Sequence, residues 1–175
     1  MEKINNALWL WAQFSKEDTK FLSYIQKQLS PELKGTEFPL HLTLAGPFNN
    51  LHESRIEELK LCCSQFPPIK LENLIYKDDS EFFHSLFIEV DYSNQLNELR
   101  NRLFAIYEMV PTGYYSPHIS LIYGDYDSQV KQSLIRTLPA LVDTVLIDKV
   151  SIVSITNNIC QWKILKKLSL MNSRL

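Results

Sequence analysis

Two short segments hold the residue types that could do chemistry: His41-Leu42-Thr43-Leu44 and His118-Ile119-Ser120-Leu121. Side chains alternate faces along a β-strand. His41 and Thr43 therefore share one face, and Leu42 and Leu44 point behind it. His118 and Ser120 repeat this arrangement over Ile119 and Leu121. If both strands face one cleft, they supply two imidazoles and two hydroxyls. Phosphate ester hydrolysis can use such a set. An attacking water must lose a proton and the leaving oxygen must gain one, and histidine can serve either purpose near neutral pH. The hydroxyls and the protonated imidazole can hydrogen-bond the non-bridging oxygens. A single His-x-Thr is commonplace. Two of them, each on an apolar strand between a proline and a glycine, carry more weight.

The elements that must position these residues follow from periodicity. Residues 7–12 read as a buried strand. Ser15 and Asp18 resemble a capping box, opening a helix to about Leu29 with Phe21, Leu22, Ile25 and Leu29 on one face. Pro31 and Gly35 end it. Residues 40–45 read as a strand closed by Gly46-Pro47. A helix with Ile56, Leu59, Cys63 and Phe66 stops at Pro67-Pro68, and residues 69–76 read as a strand. The order then repeats. Residues 83–90 are a strand; Leu96, Leu99, Leu103, Ile106 and Val110 form a helical stripe; residues 118–123 are a strand. A helix follows Asp127, and strands are expected at 144–155 and 160–168 around a turn at Asn157-Asn158. His118 lies 77 residues after His41, and the same offset carries strand 8–14 onto 85–91. The expected architecture is α+β: one domain, 1–175, of two interleaved lobes (about 7–80 and 82–170). A pseudo-twofold axis would set the two His strands side by side across a cleft.

Bulk properties narrow the function. With 45% hydrophobic and 22% charged residues the chain reads as globular rather than disordered. Eighteen Lys and Arg against twenty Asp and Glu give a net charge of −2. Binding of long nucleic acid needs a basic excess and is not expected. A small anion or an RNA end fits. Cys62, Cys63 and Cys160 are odd in number and lack metal-site spacing, which suggests reduced, partly buried thiols and a cytoplasmic location. Met1 to Asn6 lacks the pattern of a signal peptide, and no apolar run could span a membrane. No HExxH or carboxylate-rich cluster is present, so no metal is expected, and no phosphate-cradling glycine loop is present either. His52 sits in a polar loop and reads as solvated. His84, on a predicted strand, could face the cleft, but a packed or surface role is favoured.

The stretches 38–44 (Phe-Pro-Leu-His-Leu-Thr-Leu) and 115–123 (Tyr-Ser-Pro-His-Ile-Ser-Leu-Ile-Tyr) resemble the paired His-x-Thr/Ser-x motifs of the two-histidine (2H) phosphoesterase superfamily. The second stretch looks most like its cyclic phosphodiesterase branch, as do Phe82-Phe83, Val150-Ser151-Ile152 and Trp162. The resemblance implies a bilobal α+β fold with antiparallel sheets around a cleft, and opening of cyclic phosphates with neither metal nor organic cofactor. It implies His41 and His118 as the acid/base pair, Thr43 and Ser120 as phosphate donors, and Tyr123 and Tyr115 as residues lining the substrate pocket. The motifs are not identical, since Leu40 separates Pro39 from His41 whereas Pro117 abuts His118. The cysteines found in some cyclic phosphodiesterases are not reproduced.

The leading expectation is a monomeric cyclic phosphodiesterase hydrolysing a 2′,3′-cyclic or related nucleotide phosphate to a monoester. One alternative is a 2′–5′ ligase or 2′–5′ phosphodiesterase acting on RNA ends or oligoadenylate. Another is a non-catalytic module binding nucleotides or RNA ends.

Overall fold

The computed structural model describes residues 7–29, 31–33 and 37–171. Met1 to Asn6 and Gly35, both used in the sequence reading, lie outside them. The elements in chain order are β1 (Ala7–Phe14), α1 (Lys16–Leu29), β2 (Leu42–Phe48), α2 (Glu53–Ser64), β3 (Ile69–Leu71), β4 (Ile75–Asp78), β5 (Leu86–Glu89), α3 (Asn94–Ile106), β6 (His118–Ile122), α4 (Ser128–Ile135), β7 (Val145–Ile155) and β8 (Lys163–Ser169). The fold is α+β, with every strand pair antiparallel.

The strand order is β3-β7-β1-β2-β6-β5-β4, and β8 pairs with β7. The two expected sheets meet where β2 pairs β6 through Leu42 and Ile119. Those two residues are again 77 apart, so this antiparallel contact joins equivalent positions and relates the two motifs by a local twofold. The halves also exchange strands. β4 precedes the second half in sequence yet pairs β5, whereas β7, from the second half, pairs β1.

Apolar periodicity explains the packing. Leu8, Leu10, Ala12 and Phe14 of β1 enter the main core with Leu42 and Leu44 of β2 and Ile119 and Leu121 of β6. Leu22, Ile25 and Leu29 of α1 and Leu96, Leu99 and Leu103 of α3 cover that face. The start of α1 is capped as expected, the Asp18 N–H donating to Ser15 Oγ at 3.1 Å. Its carboxylate does not close the reciprocal half of the box. It accepts from Ser15 Oγ at 2.6 Å and from the Leu146 N–H at 2.9 Å, fastening the helix to β7.

Several boundaries differ from the sequence reading. Expected strand 69–76 is two strands, separated around Asn73 with φ of 53°, because the chain leaves β7 there to reach β5. Expected strand 83–90 begins at Leu86, after a 3-10 turn over Phe82–His84. β2 continues through Gly46-Pro47 to Phe48. A Cβ on Gly46 would come within 2.8 Å of the Trp9 ring, so only glycine fits this irregular stretch. α3 stops at Ile106. The Glu108 and Met109 N–H groups turn back to Ala105 and Phe104, leaving Val110 77% exposed rather than on the stripe. Residues 159–161 are a 3-10 turn, and β8 starts after them. All three cysteines are free; Cys62 and Cys63 are buried and Cys160 is exposed. Among the described residues no helix is long and apolar enough to cross a membrane.

Candidate active site

β2 and β6 bring the two motifs to one concave surface. Extending the Leu42–Ile119 register by one residue each way sets His41 opposite Ser120 and Thr43 opposite His118. All four side chains line one cavity of about 550 Å³, together with Tyr115 and Tyr123. His41 lies just before the first residue of β2 but keeps the strand's alternation.

Each imidazole is fixed in the same way. His41 Nδ1 lies 2.6 Å from the Pro39 carbonyl, and His118 Nδ1 lies 2.9 Å from the Ser116 carbonyl. Carbonyls only accept, so each neutral ring carries its proton on Nδ1 and keeps a lone pair on Nε2. The proline offset between the motifs leaves this device intact, because the anchor is a backbone oxygen two residues upstream in both.

Their surroundings differ. His41 is 3% exposed. Burial is the largest influence on it, the Pro39 carbonyl opposes, and nearby His118 adds to the fall, bringing its pKa down to about 4. His118 is half-buried and is also lowered, first by burial and further by His84, against the Ser116 carbonyl. Tyr123 Oη is 3.4 Å from His41 Nε2. Burial pushes that phenol up to about 12, with a hydrogen bond to Ser120 pulling the other way, so it stays a neutral donor. Tyr115 lines the cavity too, but its hydroxyl donates to the Thr43 carbonyl at 2.7 Å. It ties the loop before β6 to β2.

Aromatic residues that the sequence reading did not select complete the site. Trp11 stacks on His41, and Trp162 meets Trp11 edge-on at 5.5 Å. Phe38 stacks on Tyr123 at 4.0 Å. Trp9 and Phe83 line the cavity. The available signal was the alternation in β1, where Trp9 and Trp11 interleave with Leu8 and Leu10. Two faces were written there, one aliphatic and one aromatic.

His84 both packs and faces the cavity. It stacks on Phe87 at 3.7 Å and stands edge-on to His118 at 4.3 Å. Its Nδ1 is 3.5 Å from Asp79 Oδ2, and its buried Nε2 has no hydrogen-bond partner among the described residues. His52 is exposed at the start of α2, as expected. Among the described residues no group of three or more His, Cys, Asp or Glu is placed to hold a metal ion.

The fold has known counterparts. E. coli LigT complexed with 3′-AMP matches with a TM-score of 0.62 at 15% identity, covering 95% of this chain and 98% of that one. E. coli LigT complexed with ATP matches with a TM-score of 0.58 at 17% identity, covering 95% and 98%. TT0787 of Thermus thermophilus matches with a TM-score of 0.60 at 16% identity, covering 94% and 97%. No curated protein matches the sequence at a significant level. The profile of the 2′-5′ RNA ligase superfamily matches residues 17–158, a span that contains both histidine motifs and most of the sheet. The chain therefore belongs to the 2′-5′ RNA ligase superfamily, the two-histidine phosphoesterases.

Proposed function

We propose that this protein is a metal-independent phosphodiesterase that opens a 2′,3′-cyclic or related cyclic nucleotide phosphate to a monoester. The observation that carries the reading is the pair of carbonyl-anchored imidazoles, each beside a hydroxyl, lining one cavity. Both Nε2 atoms lie away from the carbonyl anchors and can exchange protons, and that of His41 also lies 3.4 Å from Tyr123 Oη. The nucleotide complexes of LigT, with 3′-AMP, ATP and NADP+, support a small-nucleotide ligand for this cleft. We read the two halves as one domain, since each supplies a strand to the other.

Burial divides the roles. His41, the harder ring to protonate, is the general base, and His118 is the general acid. Water attacks phosphorus as His41 Nε2 takes its proton. The bond from phosphorus to one ribose oxygen breaks, and that oxygen takes the proton from His118 Nε2. The monoester leaves with His41 protonated and His118 neutral, and exchange with solvent resets both. Thr43 and Ser120 hydroxyls donate to the non-bridging oxygens. A strained cyclic diester needs little beyond this positioning and charge stabilisation.

The test is turnover of each 2′,3′-cyclic mononucleotide in EDTA, followed by phosphorus NMR. One monoester product, lost in His41→Ala and in His118→Ala, is expected. Full activity in either folded variant would overturn the assignment.

A further inference from the structure

The seam between the two halves of the sheet is short. β2 and β6 share one register pair, Leu42 with Ile119, and the two histidine motifs lie on either side of it. Side chains extend the junction at both ends. At one end Gln26 of α1 donates to the Leu121 carbonyl at 3.2 Å. At the other the Tyr115 hydroxyl donates to the Thr43 carbonyl at 2.7 Å. Phe38 lies 77 residues before Tyr115, at the equivalent place in the first motif, and has no hydroxyl to offer. Two more fastenings follow Tyr115. The Ser116 carbonyl anchors His118 Nδ1, and the Pro117 carbonyl accepts from the Val90 N–H just past β5. Residues 115–117 therefore set where β6 lies between β2 and β5 and how the His118 ring is turned. The loop before them gives little support, since Met109, Val110 and Tyr114 are exposed.

Tyr115 is held instead from α3. Arg100 places its guanidinium over the Tyr115 ring, 4.0 Å from the centroid, and 4.9 Å from the centroid of Phe104. Arg100 sits in the apolar stripe of α3 with Leu96, Leu99 and Leu103, and is only 8% exposed. Its Nε is buried without a hydrogen-bond partner, and among the described residues it forms no ion pair. Arg102, two residues on, pairs with Glu98, and Arg55 pairs with Glu58 and Glu108. A buried cation without a carboxylate is costly, and a well-packed apolar side chain is often the more stable choice. The compensation Arg100 receives is the π face of the rings it covers. Tyr92 meets Tyr115 at 72°, with centroids 5.1 Å apart, and its hydroxyl donates to Asn97 of α3. α3 therefore grips Tyr115 twice, and Arg100 is the grip on the ring face. The cation also draws electron density from the phenol and strengthens its O–H as a donor. Burial raises Tyr115 above the ordinary phenol value, and the Arg100 charge pulls it back.

We infer that Arg100 is a positioning residue for the two-histidine site: its cation–π contact holds Tyr115, and through it the Thr43 backbone and the Ser116 anchor of His118. Arg100 is not among the residues that line the cavity, so it acts through Tyr115 rather than on substrate. The inference rests on the proposed reaction only for what the positioning serves.

The test compares the wild type with Arg100→Met, Arg100→Lys, Tyr115→Phe and the double variant Arg100→Met with Tyr115→Phe. Turnover is measured on a 2′,3′-cyclic mononucleotide. Methionine suits the apolar stripe and removes the charge. Its kcat should fall about 2- to 30-fold, the range a cation–π contact can supply, with KM little changed. Lysine keeps the charge without the planar stack and should lie between methionine and the wild type. On the Tyr115→Phe background Arg100→Met should cost less than on the wild type, because the hydroxyl tie is already gone. A second readout needs no substrate: the ring Nδ1–H signals of His41 and His118 in proton NMR, assigned by their loss in His41→Ala and His118→Ala. In Arg100→Met the His118 signal should shift or exchange faster with water. The His41 signal, anchored by Pro39 on the other strand, should stay as it is. Unchanged kcat with both signals unchanged would overturn the inference, as would both signals altered alike or an equal cost on the two backgrounds. A change confined to His118, in a protein that turns over no cyclic mononucleotide, would uphold the inference and overturn the proposed reaction instead.

Discussion

The indole of Trp11 lies flat on the imidazole of His41, with ring centroids 3.6 Å apart and planes 9° from parallel. Trp11 is itself only 1% exposed, so this contact removes water from one face of His41 and contributes to the burial that lowers its pKa. The same contact has a second effect during the proposed reaction. When His41 takes the proton from water, its new positive charge lies against the electron-rich face of an indole, an arrangement worth about 0.5–2 kcal/mol. Burial keeps the ring neutral at rest, and the π face stabilises the cation that forms later. Trp11→Leu preserves apolar contact and removes the π face, so kcat should fall roughly 2- to 30-fold. Trp11→Phe should lie between that variant and the wild type. Equal kcat in all three, with unfolding temperatures showing intact folds, would assign Trp11 to packing alone.

His84 gives the reaction an expected pH signature. In the proposed assignment kcat/KM requires neutral His41 and protonated His118. The acid limb then lies near the His41 value of about 4. The alkaline limb follows His118, which burial and then His84 hold below the ordinary imidazole value of about 6.5. The optimum is acidic. Replacing His84 by glutamine removes the nearby imidazole that disfavours protonated His118. Asp79, held below the usual carboxylate range chiefly by the Ser80 N–H, remains an anion and acts in the same direction. The alkaline limb of His84→Gln should therefore move to higher pH while the acid limb stays. An unmoved or lowered alkaline limb would remove His84 from the site's electrostatics.

The two histidine strands were legible because alternation is a short-range rule. Leu42, Leu44, Ile119 and Leu121 are buried, which fixes the opposite face of each strand whatever the remote partners are. The 77-residue offset between the motifs reappears in the pairing of Leu42 with Ile119. The break between β3 and β4 was not legible, because residues 69–76 carry enough apolar character for one strand and the division depends on two distant partners. Trp11 was missed for a related reason, and His84 was read only as able to face the cleft, with packing favoured. A tryptophan in an apolar run reads as core, and only pairing of β1 with β2 shows which face meets His41. His84 reaches the cavity from a 3-10 turn, where strand alternation does not apply.

Tyr115 tests whether hydroxyl position matters independently of substrate contact. Its phenol donates to the Thr43 carbonyl, and Arg100 covers its ring at 4.0 Å. Tyr115→Phe removes one hydrogen bond and should cost about 1 kcal/mol of stability. Because that bond fixes the backbone beneath Thr43, kcat should fall more than KM rises. Thr43→Val should give the same pattern more strongly, by deleting the hydroxyl itself. A Tyr115→Phe enzyme that loses stability but keeps wild-type kcat would make the tie purely structural.

The buried state of His41 should also be visible without any substrate. Its folded pKa of about 4 lies below the unfolded value near 6.5. Above pH 6.5 both states are neutral at this residue and stability does not depend on its titration. As pH falls through the window from about 6.5 to about 4, the unfolded chain binds the proton first and is favoured. The stability lost across that window is about 3 kcal/mol, or about 6–12 °C in Tm for a chain of this size. His41→Gln has no such proton to bind. Carboxylates and His118 titrate in both proteins, so the comparison isolates His41: the wild-type Tm should fall more steeply than the variant's between pH 6.5 and 4. Parallel curves would mean that His41 is solvated enough to protonate in the folded state. Burial would then no longer single out His41 as the base and His118 as the acid.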